Sequence, residues 1–230
     1  MSEVIWHDLE SGGYGVDLPV WRELAQSPVL DVGCGTGRVA LDLAAAGFDV
    51  VAVDVVSAFV DELRERARRA GVAVEAIVAD ARTLDLERDF ESILVPQSSL
   101  QLIPERADAL AALSRHLRPG GTFAVAITED CAPYEGIIAE PDRVEVGGRR
   151  YESQPVALRD RGSALQIERI RWIIEPDGER TADADITVIE KLTVDALTEE
   201  VTPLGLRLER SFSLADTEHY VGATVAVYRS

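Results

Sequence analysis

The sequence contains few cysteines: Cys34 and Cys131 are the only two among 230 residues. Two cysteines cannot build a disulfide framework, and their spacing resembles no zinc or iron–sulfur ligand set. We therefore expect a reducing compartment and predict a cytoplasmic location.

Long apolar runs and excess positive charge are also missing. No apolar stretch approaches the length of a membrane span, and Glu3, His7 and Asp8 stand where a secretory signal would have a basic start and an apolar run. The chain has 23 basic and 41 acidic residues, for a formal net charge of −18, which makes a polyanion a poor partner. We predict that the protein binds neither membranes nor nucleic acid.

The residues that are present have the composition of a folded protein, with 47% hydrophobic and 28% charged residues. Short β-branched runs alternate with longer amphipathic stretches between residues 29 and 127, as in βαβ units that build a parallel sheet. The predicted strands are residues 29–32, 50–53, 74–78, 92–95 and 122–127. The predicted helices between them are residues 39–46, 57–70 and 105–117, with Ser57 as an N-cap.

The pattern changes after residue 127. Gly147-Gly148 and Pro176-Asp177-Gly178 each separate segments that alternate polar and apolar residues, which is typical of antiparallel hairpins. A helix over residues 193–202 and strands over 206–212 and 220–228 follow.

We predict a single domain of residues 1–230. Its parts are an N-terminal lid or helical segment (1–28), a Rossmann-like core (29–130 and 191–230) and an antiparallel β insertion (131–190).

The chemistry concentrates in a glycine-rich turn that runs from the first strand into a helix and contains Gly33, Gly35 and Gly37. Glycine lets the backbone approach a ligand, and the start of a helix supplies free N–H donors. Asp54 ends the second strand, where a carboxylate can accept both ribose hydroxyls of an adenosine. These features predict a cofactor that contains adenosine.

Two cofactor classes share this design. The dinucleotide pattern G-x-G-x-x-G requires a third glycine at position 38, which is Arg38. The pattern that begins at Asp31, D-x-G-x-G-x-G, instead resembles motif I of the class I S-adenosylmethionine-dependent methyltransferases. The resemblance implies cofactor contacts from Asp31, Gly33, Cys34, Gly35, Gly37, Asp54, Val55, Asp80, Ala81 and Tyr14. Gln97 follows the fourth strand at the carboxyl edge of the sheet, which makes it a further candidate to contact the cofactor or the acceptor.

The resemblance also implies roles for these residues. The glycine turn carries the methionyl end of S-adenosylmethionine, Asp31 helps fix its amino-acid end, and Asp54 holds the ribose. Asp80 meets the adenine amino group, with Ala81 beside it. The implied fold is an α/β, doubly wound, Rossmann-like seven-stranded mixed sheet with a reversed last strand. The antiparallel insertion is similar to the lid sheet of small-molecule N- and O-methyltransferases.

The resemblance implies methyl transfer to a nitrogen or oxygen of a small-molecule acceptor by in-line displacement, with S-adenosylhomocysteine as the second product. Catalytic residues are unknown from the sequence; the candidate bases are His7, His219, Glu129 and Asp130. Gly12, Gly13 and Gly15 argue against a regular helix near the N-terminus, which favours a flexible lid that brings Tyr14 to the cofactor.

Two alternatives stay open: a nicotinamide-dependent oxidoreductase, and a catalytically degenerate S-adenosylmethionine-binding protein. We predict no metal, since no Asp or Glu stands between Ile93 and Ile103 at the expected sheet edge. The insertion edge suggests a homodimer. Its arginines are candidates for recognising an acidic acceptor or for covering a solvated sheet; they include Arg143, Arg149, Arg150 and Arg159.

Overall fold

The computed structural model describes residues 2–129, 131–137, 139–217 and 221–230. The helices are α1 (Ser2–Ser11), α2 (Leu18–Leu24), α3 (Arg38–Ala45), α4 (Ser57–Ala70), α5 (Ser99–Leu102), α6 (Arg106–Arg115) and α7 (Val194–Val201). The strands are β1 (Val29–Val32), β2 (Val50–Asp54), β3 (Glu75–Val78), β4 (Phe90–Val95), β5 (Leu117–Ile127), β6 (Tyr134–Glu135), β7 (Asp142–Val146), β8 (Arg149–Asp160), β9 (Ala164–Ile174), β10 (Arg180–Glu190), β11 (Arg207–Leu214) and β12 (Ala223–Arg229).

A seven-stranded sheet forms the core in the order β11-β12-β5-β4-β1-β2-β3. Strands β1 to β5 pair in parallel, whereas β12 is antiparallel to both β5 and β11. This arrangement confirms the predicted doubly wound, mixed sheet with a reversed last strand. The strand order reverses at β1, which lies between β4 and β2, and ligands of such sheets bind beside the carboxyl ends of the strands at this switch point.

The central strands form because their short β-branched runs can bury both faces of the sheet. All four residues of β1 are buried, and they alternate between two apolar layers. Leu30 and Val32 pack in one layer, and Val29 packs in the other. Asp31 therefore shares a face with Val29, within an apolar layer that includes α3 residues.

A second, antiparallel sheet has the order β10-β9-β8-β6, and β7 also pairs with β8. Its hairpins turn at the predicted positions, so the antiparallel insertion is confirmed. The contacts divide the chain into two compact units: residues 1–14 with 130–191, and residues 15–129 with 192–230. In the first unit, the ring of Trp6 in α1 meets the ring of Tyr151 in β8 edge-on, at 5.2 Å between centroids.

Several local predictions need correction. The segment of residues 1–28, predicted as a lid or helical segment, contains the regular helix α1 (Ser2–Ser11), which ends just before the glycines that were expected to oppose a helix there. The glycines therefore act between α1 and α2 rather than within a helix. Strand β5 begins at Leu117, five residues earlier than predicted, because the turn sequence there already pairs with β4. Tyr220, the expected start of the last strand, lies outside the described residues. Within the described ranges, no helix is both long and apolar enough to cross a membrane.

Candidate cofactor site

The glycine turn between β1 and α3 has the backbone that its sequence predicts. Gly33, Gly35 and Gly37 have φ angles of 70°, 54° and 97°, in the left-handed region that favours glycine. A Cβ atom on Gly33 would lie 2.8 Å from the Cβ of Ser99. The turn is therefore closely fitted against α5, and glycine is required at position 33 for both conformation and space.

Asp54 fixes the turn from the end of β2. Its Oδ2 accepts the backbone N–H of Gly35 at 2.8 Å, and its Oδ1 accepts the N–H of Val56 at 2.9 Å. The structure thus brings Asp54 and Gly35 together as predicted. A carboxylate has about four acceptor sites, so these two bonds leave capacity for ribose hydroxyls.

The residues that follow Asp54 differ from the prediction at the N-cap of α4, and they provide an apolar surface. Val56, not Ser57, is the N-cap of α4, and Ser57 is the first residue of the helix. Val55 is 66% exposed beside the carboxylate, so it offers an apolar surface at the strand end.

Asp31 lies fully buried in β1. Neither carboxyl oxygen has a hydrogen-bond partner in the described part of the chain, although the backbone of Ala40 is near enough to act against the rise in the pKa of this group. Burial raises the pKa of Asp31 to about 7, the charges of Asp54 and Asp17 add to this shift, and Arg38 opposes it. Asp31 is thus a buried acid beside the turn whose hydrogen-bonding capacity is unused.

Arg38, which breaks the dinucleotide pattern, has a structural partner. Its guanidinium binds the buried carboxylate of Asp17 through two contacts of 2.5 and 2.8 Å, and Asp17 also accepts the indole N–H of Trp21 at 2.7 Å. This pairing joins α2 and its preceding residue to the start of α3. Arg38, at the position where the dinucleotide pattern has a glycine, therefore has a specific role in packing.

Asp80 and Ala81 follow β3, which pairs in parallel with β2. The carboxylate of Asp80 accepts the backbone N–H of Arg82 at 2.9 Å and the guanidinium of the same residue at 2.6 Å. The hydrogen bonds from the Arg82 side chain and backbone lower the pKa of Asp80. Asp80 lies at the predicted sheet edge, but Arg82 already occupies part of its acceptor capacity.

The ends of β4 and β5 are joined by hydrogen bonds that the sequence did not reveal. Gln97 has a φ of 52°, in the left-handed region, and begins the turn into α5. The buried amide of Gln101 accepts the N–H of Thr128 at 2.7 Å and donates to its carbonyl at 3.0 Å. The hydroxyls of Ser98 and Thr128 lie 2.8 Å apart. The only feature of the sequence that pointed to these bonds was Gln101, a polar residue between Leu100 and Leu102.

Other predicted residues are placed as follows. Burial raises the pKa of the Cys34 thiol, so this thiol stays protonated near neutral pH. Glu129, a candidate base, accepts the N–H of Val194 at 2.9 Å and so serves the first residue of α7. His7 and Tyr14 belong to the unit that contains the antiparallel sheet. Asp130 and His219 lie outside the described residues. Across the described ranges, no cluster of three or more His, Cys, Asp or Glu has metal-site geometry.

Residues 29–121 match the family described as "Methyltransferase domain". Cypemycin N-terminal methyltransferase from Streptomyces sp is 35% identical over 122 residues, which cover 50% of this chain and 49% of that protein. The ubiquinone biosynthesis O-methyltransferase of Methylococcus capsulatus is 33% identical over 101 residues, which cover 43% of this chain and 42% of that protein. The chain thus spans about half the length, or less, of these curated relatives.

Solved structures resemble the whole chain. The sugar N-methyltransferase KedS8 from Streptoalloteichus sp has a TM-score of 0.76 at 20% identity, covering 100% of this chain and 93% of that one. An S-adenosylmethionine-dependent methyltransferase from Clostridium acetobutylicum has a TM-score of 0.75 at 15% identity, covering 98% and 96%.

At these identities the structural likeness shows the fold alone: the chain has the same fold as these solved methyltransferases. The match of residues 29–121 to the methyltransferase domain family agrees with the resemblance found in the glycine turn.

Proposed function

We propose that the protein transfers a methyl group from S-adenosylmethionine to a nitrogen or oxygen of a small-molecule acceptor. The observation that carries this proposal is the hydrogen bond between Asp54 and the Gly35 amide at the switch point of the sheet. It joins the ribose-binding acid to a left-handed glycine turn.

The residues present fit this cofactor. Where the turn lies closest to α5, its residue is Gly33, which has no side chain. Asp54 can still accept hydrogen bonds from the ribose hydroxyls. Asp31 offers a buried carboxyl for the amino-acid end. When bound, S-adenosylmethionine supplies a methyl group that its sulfonium already activates. The protein therefore contributes chiefly by orienting the acceptor and by excluding water.

An amine is the acceptor class that the relatives favour. One curated relative is an N-terminal methyltransferase, and KedS8 is a sugar N-methyltransferase. An ammonium acceptor must lose a proton before its lone pair can react, so the site needs a base or solvent access. Oxygen acceptors remain the second class because another relative is an O-methyltransferase.

Activity is tested by incubating the protein with S-adenosylmethionine labelled in its methyl group and with panels of primary amines and alcohols. We expect label in an acceptor together with an equal amount of S-adenosylhomocysteine. Cofactor binding without transfer to any acceptor would favour the degenerate binding protein. Oxidation of a nicotinamide cofactor by the protein would favour the oxidoreductase.

We also propose that the protein is cytoplasmic and that two copies pair through the insertion. Strand β10 lies at the edge of the antiparallel sheet, and its Ile186 and Val188 are 60% and 51% exposed. Pairing of this edge would satisfy its free backbone groups and cover both side chains. Sedimentation should give a dimer that Ile186→Lys weakens; a wild-type monomer at all concentrations would contradict the pairing.

A further inference from the structure

Arg169 in β9 has a guanidinium nitrogen that the protein leaves unsatisfied. Its Nη1 is buried and has no hydrogen-bond partner within the described ranges. Native proteins satisfy the large majority of buried polar groups, so such an exception calls for a specific explanation. For a charged donor the cost of remaining unsatisfied is greater than for a neutral one.

Two carboxylates in the neighbourhood of Arg169 are already bound to a different arginine. Arg171 lies two residues further along β9, on the same face of the sheet, and its Nε and Nη2 contact the carboxylate of Glu10 at 2.7 and 2.6 Å. Its Nη1 contacts Asp185 at 2.6 Å, although Asp185 stands opposite Arg169 in the strand register. Arg171 therefore takes both acids, and Arg169 receives neither.

The other hydrogen bonds of Glu10 keep its carboxylate bound to Arg171 rather than to Arg169. Ser153 donates its hydroxyl to Glu10 at 2.6 Å, beside the two bonds from Arg171. Burial acts to raise the pKa of Glu10, but the bonds from Arg171 and Ser153 and the charge of Arg169 outweigh it and lower that pKa. Arg169 is thus close enough to act on Glu10 through its charge, while the carboxylate itself stays engaged elsewhere.

The insertion arginines that the sequence had suggested for acceptor recognition are already paired. Arg149 contacts Glu175 at 2.9 Å, and Arg159 contacts Glu168 at 2.7 Å. Arg143 and Arg150 both contact Glu152, at 3.3 and 3.0 Å. These pairs give no reason to expect a ligand, whereas Nη1 of Arg169 has no acceptor among the residues that the structure describes.

We propose that Arg169 binds an anionic group, a carboxylate or a phosphate, of a small molecule. The planar guanidinium matches the two oxygens of either group, and a cation with a buried donor atom gains most from a partner of opposite charge. This anion site lies in the unit that contains the antiparallel sheet, and it does not depend on the proposed methyl transfer.

The first test compares Arg169→Met with Arg159→Met in thermal unfolding without added anion. Methionine keeps much of the side-chain volume and removes the unsatisfied charge. We expect the Tm of Arg169→Met to stay unchanged or to rise by a few degrees, because the unsatisfied charge destabilises the fold when no anion is bound. A clear fall in the Tm of Arg169→Met would mean that Arg169 holds the fold together, and would overturn the proposal.

The second test measures Tm shifts with benzoate, inorganic phosphate and neutral benzamide at fixed ionic strength. We expect benzoate or phosphate to raise the Tm of the wild type and of Arg159→Met, but not of Arg169→Met; which anion acts distinguishes the carboxylate from the phosphate. The proposal fails if neither anion separates wild type from Arg169→Met, or if benzamide acts equally.

A titration of both variants with S-adenosylhomocysteine separates this proposal from the proposed function. We expect the wild-type Kd in each variant, because Arg169 belongs to the unit of the antiparallel sheet and the glycine turn belongs to the other unit. Loss of cofactor binding in Arg169→Met alone would mean that Arg169 acts on cofactor binding, and would overturn a separate anion site. Absence of cofactor binding in the wild type would contradict the methyltransferase function and leave the anion result standing.

Discussion

Asp54 has an observed structural role and a proposed cofactor role, and its position in the sheet makes the two compatible. Its oxygens hold the amides of Gly35 and Val56, and the remaining lone pairs are those assigned to the ribose. Holding the turn and binding the ribose are therefore compatible roles for this residue. In the proposed site, the same carboxylate does both.

Replacing Asp54 with alanine should weaken binding of S-adenosylhomocysteine, measured by calorimetric titration. Loss of charge-assisted hydrogen bonds should cost about 2 kcal/mol, or roughly 30-fold in Kd. Asp49→Ala is the matched control, because Asp49 directly precedes the same strand at its opposite end and contacts Arg88 at 2.6 Å. Equal affinity in Asp54→Ala and wild type would remove Asp54 from the site.

Asp31 should make the stability of the protein depend on pH in an unusual direction. Its pKa is about 7 in the folded chain, because of burial, and about 3.9 in an unfolded chain. The folded state therefore binds the proton more tightly, so Asp31 reduces stability progressively as the pH rises from about 4 to about 7.

We expect Asp31→Asn to gain stability relative to wild type between pH 5 and pH 8, by a few kcal/mol at most, as measured by urea unfolding. Because each variant is compared with wild type at the same pH, the contributions of the other carboxylates to the free energy of unfolding cancel. Asp61→Asn, an exposed substitution in α4, should show no such trend. A stability difference between Asp31→Asn and wild type that stays constant with pH would mean that Asp31 titrates normally.

At the scale of elements, α5 lies against the glycine turn and also binds the end of β5. Ser99 meets Gly33 at one side, and Gln101 forms its two hydrogen bonds with Thr128 at the other. This short helix therefore sets the position of two loops at the carboxyl edge of the sheet. A change in packing on one side of α5 should be felt at the turn.

Gly33→Ala tests this packing, with Gly47→Ala as the matched control. Both glycines have positive φ angles, 70° and 93°, but a Cβ at position 47 would meet nothing within 4 Å. Both variants carry the cost of a left-handed alanine, about 1 kcal/mol. We expect only Gly33→Ala to lose affinity for S-adenosylhomocysteine, and Ser99→Gly to restore part of it. Equal affinities in the two alanine variants would exclude the contact with Ser99 as a determinant of the turn.

At the scale of the whole molecule, the sequence predicted what depends on local pattern. Alternating runs predicted the strands, and the glycine turn with Asp54 predicted the candidate cofactor site, because each signal lies within one βαβ unit. Contacts between distant residues were not predictable. The bond between Glu10 and Arg171 joins positions 161 residues apart, and it places α1 with the antiparallel sheet.

The sequence also did not predict the contacts that several candidate site residues make. Glu129 was considered as a base, yet it accepts the Val194 amide of a helix that comes 65 residues later. Asp80 was assigned to adenine without any sign that Arg82 would bind it, although a bidentate contact two residues away is within reach of a flexible arginine. Gln101 gave a weak signal because a single glutamine in an apolar run also suits a surface helix.

The central claim is that the glycine turn binds S-adenosylmethionine rather than a dinucleotide. Calorimetric titration of the wild-type protein with S-adenosylmethionine, S-adenosylhomocysteine and NADH, in one buffer and salt, tests it most directly. The account predicts binding of the two sulfur compounds and no heat from NADH. Binding of NADH alone would contradict it.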